Sequence, residues 1–241
     1  MTLYAVGDIH GQIGMLHAAL ELIERDGGAD AQVVFLGDLV DRGPDSKGVI
    51  QLLIDAVAAG RNWTVLKGNH DRMFEWFMSD PPRMETRLPV GLDWLHDRVG
   101  GAATLASYGV KVSSERRMWQ VLEDAHNAVP QTHLDFITGL PLTMIHGRKL
   151  FVHAGILPGV QLSVQSKDDL VWIREPFLSD KRDHGYLVVH GHSPVDLPEH
   201  HGNRIALDTG AGYGRALTAV VFENDVVYML TDTGRIPIVQ L

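Results

Sequence analysis

Short apolar runs recur in the first third of the chain, and each is followed within two residues by a glycine and then by polar side chains. The runs cover residues 3–6, 33–36 and 63–66. Such runs are typical of strands that are buried on both faces, because a half-exposed strand would alternate apolar and polar residues. The pattern therefore predicts three strands, of which the unbroken apolar run at residues 33–36 is predicted to be buried on both faces.

Between these runs, the apolar residues recur at helical spacing. Ile13, Leu16, Leu20 and Ile23 fall on one face of a helix that ends at the glycine pair 27–28. A second helix is predicted to follow a proline and end at a glycine, with this set of residues: Pro44, Val49, Leu52, Leu53, Ala56, Val57 and Gly60. The resulting β-α-β-α-β order is typical of a parallel sheet.

Residues 72–148 lose this alternation and read as mostly helical. Residues 118–125 have an amphipathic helical pattern, and residues 130–139 run from a proline to a glycine. Neither edge has the composition of a linker, so we predict an insertion packed on a single domain that spans residues 1–241. Its four histidines, which we predict at the surface or core edge, are His96, His126, His133 and His146.

Strand-like runs return after the insertion. Residues 150–152 and 186–189 are apolar, and each run is followed by histidines. Three further β-rich stretches cover residues 205–207, 216–222 and 226–230. The Glu-Asn-Asp sequence between the last two predicts a hairpin turn.

Composition narrows the class of protein. The chain has 241 residues, of which 45% are hydrophobic and 21% charged, and these values are ordinary for a globular protein. It has no cysteine, which excludes disulfides, a thiolate nucleophile and Cys-type zinc sites and fits a cytoplasmic location. The first eleven residues have no basic region and no long apolar segment, so we predict neither a signal peptide nor a membrane span.

The formal net charge of −9 argues against a stable nucleic-acid partner. It leaves an anionic substrate open, because divalent ions and a few arginines can reverse the sign of the charge locally.

Polar side chains cluster just after the first three predicted strands, where α/β sheets usually bind their ligands. They are Asp8, His10, Asp38, Asp41, Arg42, Asn69 and His70. Carboxylates at the end of a buried strand need a positive partner, so a metal ion or the adjacent arginine is expected near Asp38 and Asp41. Carboxylate and imidazole groups suit Mn, Fe or Zn ions. Our hypothesis is that Asp38 bridges two metal ions.

His153 and His192 follow the later strands in the same way, which favours them as metal ligands over purely structural histidines. For His190, a place beside the ligands and a structural role remain equally open.

The motifs GDIHG, GDLVDRG, GNHD, HAG and HGH occur in this order, and together they resemble the metallophosphoesterase superfamily. The DRG extension, the WIRE stretch and the segments WLHDRVGGAATLASYG and VPQTHLDFITGLPL are similar to its phosphoprotein phosphatase branch in the bacterial and phage form. The resemblance covers nearly the whole chain. It implies an α/β fold, namely a four-layer α/β/β/α sandwich of two mixed β-sheets flanked by helices, with a mostly helical insertion.

The resemblance also implies two divalent metal ions, with Mn²⁺ preferred and Fe or Zn²⁺ as alternatives. The ligands it implies for the first ion are Asp8, His10 and Asp38. Those for the second are Asp38, Asn69, His153 and His192. In this family a hydroxide between the metals is the implied nucleophile, since two cations lower the pKa of bound water.

The family's general acid matches His70, which Asp41 would orient, and its phosphate-binding arginines match Arg42 and Arg174. Two alternatives come from the residues themselves. Asp41 suits a helix cap near Pro44, and Arg174 suits a salt bridge to Glu175.

Three functions follow in order of preference. The first is a serine/threonine protein phosphatase that acts on a phosphorylated protein or peptide, or on a small phosphate ester. The second is a symmetrical hydrolase of dinucleoside polyphosphates such as diadenosine tetraphosphate. Asp71 is similar to that group, but Asp41 and the short chain favour the phosphatase. The third, a non-catalytic phosphate-binding module, is least favoured because the motif residues are all present. No membrane association is expected, and the oligomeric state is left open.

Overall fold

The computed structural model describes residues 2–241. Within this range the strands are β1 (Leu3–Val6), β2 (Gln32–Phe35), β3 (Trp63–Val65), β4 (Thr143–His146), β5 (Lys149–Val152), β6 (Leu187–His190), β7 (Glu199–His200), β8 (Arg204–Ala206), β9 (Ala219–Glu223), β10 (Val226–Thr231) and β11 (Gly234–Pro237). The α-helices are α1 (Ile13–Gly27), α2 (Ser46–Ala58), α3 (Asn69–Phe77), α4 (Gly101–Ser107), α5 (Met118–Ala128), α6 (Gln131–Gly139) and α7 (Lys167–Trp172). No described helix is long and apolar enough to cross a membrane.

The first sheet has the strand order β11-β10-β9-β1-β2-β3. Strands β1, β2 and β3 are parallel neighbours, as the β-α-β-α-β pattern predicted. Strand β9 pairs antiparallel with β1, and the predicted hairpin turn joins β9 to β10. The three motifs that follow β1, β2 and β3 therefore lie along one edge of this sheet.

The second sheet has the order β4-β5-β6-β8-β7, in which β5, β6 and β8 are parallel. Strands β4, β7 and β11 were not predicted. Strand β4 lies in the region that we predicted as mostly helical. Strand β7 has only two residues, and β11 is an edge strand with a glycine, an arginine and a proline, so neither has an apolar pattern to detect.

Three apolar cores separate four layers. Leu36, Phe151, Val189 and Phe222 belong to the core between the two sheets. A larger core packs helices on the outer face of the first sheet, and a smaller one packs α7 and Phe177 on the outer face of the second. The expected four-layer α/β/β/α sandwich is confirmed.

Helices α4 and α6 of the predicted insertion pack against α2. Our prediction for His133 was wrong, because its side chain is fully buried. His133 links the helices, since its Nδ1 lies 2.7 Å from the Tyr108 hydroxyl and its Nε2 lies 2.9 Å from Gln51 Oε1. These partners are 25 and 82 residues away, so no local pattern reveals them.

Candidate active site

The five motifs converge where the two sheets meet. The loops after β1, β2, β3, β5 and β6 bring together eight predicted site residues, and each of them is at most 6% exposed: Asp8, His10, Asp38, Asp41, Asn69, His70, His153 and His192. Six of them, all but Asp41 and His153, line a cleft of about 180 Å³ that Arg42 and Arg174 also line. The structure therefore brings all ten predicted site residues into one region.

The backbone of this region adopts unusual conformations. Of the six non-glycine residues with positive φ in the described chain, five are predicted site residues: His10 (50°), Asp38 (49°), Asp41 (74°), Arg42 (68°) and His192 (61°). Such conformations cost about 1–3 kcal/mol each and persist only where the surrounding structure enforces them. The motif glycines have a related role, since a side chain at Gly68 or Gly191 would collide with a carboxylate oxygen of Asp38 or Asp8.

Two histidines present lone pairs to Asp38. His10 Nδ1 lies 2.9 Å from the Val40 carbonyl oxygen, and His153 Nδ1 lies 2.9 Å from that of Leu36. Because a carbonyl oxygen only accepts, both Nδ1 atoms carry the hydrogen and both Nε2 atoms are bare. These Nε2 atoms lie 3.5 Å and 3.4 Å from the Asp38 oxygens. The Nε2 lone pairs and the carboxylate repel one another, and a bound cation would instead be ligated by all three groups.

Other polar atoms of the site lie close to histidine nitrogens or have no hydrogen-bond partner. The Oδ1 atom of Asn69 lies 2.9 Å from both His153 Nε2 and His192 Nδ1. Asp8 Oδ2 accepts a hydrogen bond from the His192 backbone N–H at 3.0 Å. Asp8 Oδ1 and His192 Nε2 are buried and have no hydrogen-bond partner. Buried polar atoms are normally satisfied, so these orphans are consistent with metal ligation.

The ligand atoms form two groups that share Asp38. One group contains His10, Asp38 and His70, the other contains Asp38, His153 and His192, and the atoms of each lie within 4.8 Å of one another. The bridging role of Asp38 stays a prediction. His70 occupies the place in the first group where we had predicted Asp8.

Burial sets the protonation of the ligands. Burial lowers the pKa of His10, His153 and His192, which keeps their lone pairs available at neutral pH. It raises the pKa of Asp8 well above its usual range, and the charges of Asp208 and Asp38 raise it further. Neutral imidazoles beside crowded carboxylates fit two divalent cations.

His70 and Asp41 form a hydrogen-bonded pair beside these ligands. His70 Nδ1 lies 2.6 Å from Asp41 Oδ2. The guanidinium of Arg42 lies between the two histidines, with Nη2 3.0 Å from His70 Nε2 and Nη1 2.8 Å from His10 Nε2. The helix-cap alternative for Asp41 is wrong, because Asp45 caps α2 by accepting a hydrogen bond from the Gly48 backbone N–H at 2.7 Å.

Arg174 follows α7 and donates a hydrogen bond from Nη2 to the His192 carbonyl oxygen at 3.3 Å. Within residues 2–241 it forms no ion pair with Glu175, which instead accepts from the Ser179 hydroxyl. Arg174 is therefore free to face the cleft.

His190 has a structural role. Its Nδ1 lies 3.0 Å from the Gly191 carbonyl oxygen, and its Nε2 lies 3.2 Å from an Arg204 nitrogen. Its ring packs against Phe177 on the outer side of the second sheet. Burial and the charge of Arg204 lower its pKa to about 3, so it stays neutral.

Asp71 ties two of the motifs together. Its two oxygens accept hydrogen bonds from the backbone N–H groups of Leu39 and Gly68, both at 2.8 Å. Burial and the charge of Asp38 raise the pKa of Asp71 to about 7. The Asp71 side chain thus stabilises these two loops, and this role does not depend on which substrate the cleft binds.

Several side chains of the site were not predicted. Asp208 is 4% exposed and follows β8 at the same edge of the second sheet, so the strand-end pattern already used for the other motifs could have found it. Tyr213 stacks on Arg42 with 4.7 Å between the guanidinium carbon and the ring centroid. Arg98 also lines the cleft, and it lies in a segment without regular secondary structure.

Comparisons with known proteins identify the family of the chain. The family model of the calcineurin-like phosphoesterases matches residues 1–229. An asymmetrical bis(5'-nucleosyl)-tetraphosphatase from Geobacillus thermodenitrificans is 25% identical, over 91% of this chain and 90% of that protein. Serine/threonine-protein phosphatase 1 from Salmonella typhimurium is 28% identical, over 89% of both.

A solved structure has the same fold. The cold-active protein-tyrosine phosphatase of a Shewanella species superposes with a TM-score of 0.63 over 99% of this chain and 80% of that one, at 15% identity. From the family match and the five converging motifs, we conclude that the chain belongs to the calcineurin-like phosphoesterase family.

Proposed function

We propose that this phosphoesterase is a serine/threonine protein phosphatase that hydrolyses phosphomonoesters of proteins or peptides. The observation that supports it most is the pair of His70 and Asp41 beside the cleft. A serine or threonine alkoxide is a poor leaving group and needs a proton, which a general acid supplies. The nucleotide that leaves a dinucleoside polyphosphate is already a stable anion and needs none.

Two divalent cations, when bound, would supply an activated water and offset the negative charge of the phosphate. We propose that Mn²⁺ is preferred, with Fe or Zn²⁺ as alternatives. The residues proposed to hold the cations are Asp8, His10, Asp38, Asn69, His153 and His192.

The remaining predicted residues would act on the substrate itself. Arg42 and Arg174 would bind phosphoryl oxygens, for which the planar guanidinium fork is well suited. His70 would donate a proton to the oxygen of the breaking P–O bond, and Asp41 would hold the imidazole in place. A cytoplasmic location stays a prediction.

Hydrolysis of a dinucleoside tetraphosphate is the second candidate. It is favoured by the Geobacillus relative, which aligns over nearly the whole chain. The ring of Tyr213 at the cleft, 62% exposed, would give a nucleobase a stacking surface.

The test is a comparison of kcat/KM on a phosphothreonine peptide and on diadenosine tetraphosphate, with Mn²⁺-loaded protein and a chelator-treated control. We expect the peptide to give the higher value. A higher value on the dinucleotide would replace the proposed substrate class and leave the site assignments standing. Equal activity after chelation would contradict metal-dependent hydrolysis.

A further inference from the structure

Asp41 is a fully buried carboxylate that receives hydrogen bonds from the insertion as well as from His70. The Trp94 indole Nε1 lies 2.9 Å from Oδ2 and 3.1 Å from Oδ1. The Thr104 hydroxyl donates to Oδ1 at 2.7 Å. Since a buried carboxylate is costly without hydrogen bonds, these donors, 53 and 63 residues away, are part of what holds Asp41 in place.

The direction of the Thr104 hydroxyl is determined by its surroundings. The backbone N–H of Asp41 donates to Thr104 Oγ1 at 2.8 Å, so the hydroxyl hydrogen is directed to another acceptor, Asp41 Oδ1. Thr104 is fully buried, with Ser46 Oγ at 3.1 Å. Thr104 thus supports both the carboxylate and the left-handed backbone of Asp41, whose φ is 74°.

The indole of Trp94 packs against two phenylalanine rings. Its ring packs 5.6 Å from Phe74 and 4.6 Å from Phe77, measured between centroids. A side chain at Gly101 would collide with this indole, and one at Gly100 would collide with the backbone of Arg42. The glycine pair therefore lets the insertion close on the segment that carries Asp41.

We propose that Trp94 and Thr104 are positioning residues for the reaction, which fix the rotation of the Asp41 carboxylate and through it the imidazole of His70. The inference rests on the proposed function, in which His70 protonates the leaving oxygen. Without the two donors, the carboxylate would rotate toward other partners, and His70 would lose its alignment with the substrate.

The experiment compares two substrates that differ in their leaving group. A serine phosphate loses an alkoxide that must be protonated, whereas p-nitrophenyl phosphate loses a stable phenolate that needs no proton. For Thr104→Val and Trp94→Phe, we expect kcat on a phosphoserine peptide to fall about 10–100-fold, as for other groups that orient active-site residues. On p-nitrophenyl phosphate we expect a fall of no more than about 3-fold, because the aryl ester makes little use of the acid. Thr104→Ser keeps the hydroxyl and should recover most of the peptide activity.

Matched controls come from the edge of the first sheet. Trp63→Phe and Thr64→Val change the same residue types on β3, away from the cleft, and should leave both rates unchanged. Thermal unfolding would confirm that each variant is folded, and the isosteric Thr104→Val keeps the test valid if Trp94→Phe does not fold.

His70→Ala is the reference for loss of the acid. If His70→Ala is selective for the peptide while Thr104→Val lowers both rates equally or neither, the positioning role is overturned and the proposed function stands. If His70→Ala is not selective, the acid assignment in the proposed function fails, and the inference fails with it.

Discussion

A single carboxylate, that of Asp38, connects most of the candidate metal site. Its Oδ1 accepts a hydrogen bond from the His70 backbone N–H at 2.9 Å and lies 3.4 Å from His153 Nε2. Its Oδ2 lies 3.5 Å from His10 Nε2. Asp38 is therefore the one residue common to both groups of candidate ligands in the described chain.

We expect Asp38→Asn to lose metal from both positions. The amide replaces an anionic oxygen by an N–H donor, so affinity should fall by more than the ~10–100-fold typical of residues that only support a ligand. Metal content per chain after gel filtration in dilute Mn²⁺ measures this loss. Asp30→Asn, an exposed acid far from the cleft, is the control and should keep full stoichiometry. Two tightly held ions in Asp38→Asn would contradict the bridging role.

At the residue scale, the strand-end motifs contain nine of the ten predicted site residues, and the tenth, Arg174, was predicted from the family resemblance alone. Trp94 and Thr104 were not predictable in this way, because each contacts Asp41 across more than 50 residues and has no motif of its own. The local competition between Asp41 and Asp45 for the helix cap was also decided only by the structure.

At the element scale, the insertion contacts the residues of the site and does not only extend the fold. The Gly100 carbonyl oxygen accepts a hydrogen bond from the Arg42 backbone N–H at 3.2 Å, which docks the start of α4 on the loop after β2. The sequence pattern predicted α5 and α6 of this region, but it did not single out α4. The irregular residues 78–100 could not be predicted, because their conformation depends on tertiary contacts rather than on a repeating pattern.

Because Gly100 packs closely against Arg42, we predict that substitution by alanine has different effects at Gly100 and at Gly109, which both have a positive φ. Gly109→Ala introduces only the backbone penalty, since no atom lies within 4 Å of the added Cβ, and it should lower the free energy of unfolding by about 1 kcal/mol. Gly100→Ala adds a collision with Arg42 and should cost about 2–3 kcal/mol, with loss of activity. Urea unfolding and a phosphatase assay of both variants check this. Equal losses of unfolding free energy in the two variants would show that the close approach of Gly100 to Arg42 is unimportant.

At the scale of the whole molecule, the candidate ligands come from both sheets. Asp8, Asp38 and Asn69 follow strands of the first sheet, and His153 and His192 follow strands of the second. Metal ions bound there would cross-link the two halves of the sandwich. The strand-end pattern predicted that the motifs would converge, because parallel strands place their carboxyl ends at a common edge, whereas the presence of two sheets was predicted only from the family resemblance.

We therefore expect removal of metal to destabilise the entire fold. Each ion at 100 times its Kd contributes about 2.7 kcal/mol, which for a chain of this size is about 5–10 °C in Tm per ion. Thermal unfolding with Mn²⁺, with chelator and after re-addition of Mn²⁺ measures the change. The Tm of Asp38→Asn should not change with Mn²⁺ or chelator. A wild-type Tm that is unchanged by the chelator would contradict the proposed cross-link between the two sheets.

The order of strands also has a consequence for synthesis of the protein. Strand β1 lies between β2 and β9, and β9, which covers residues 219–223, is synthesised more than 200 residues after β1. The hydrogen bond between Asp8 and His192 likewise joins residues 184 positions apart. During translation one edge of β1 stays unpaired until β9 has been made, and unpaired strand edges promote aggregation, so we expect the nascent chain to be vulnerable to aggregation over this interval.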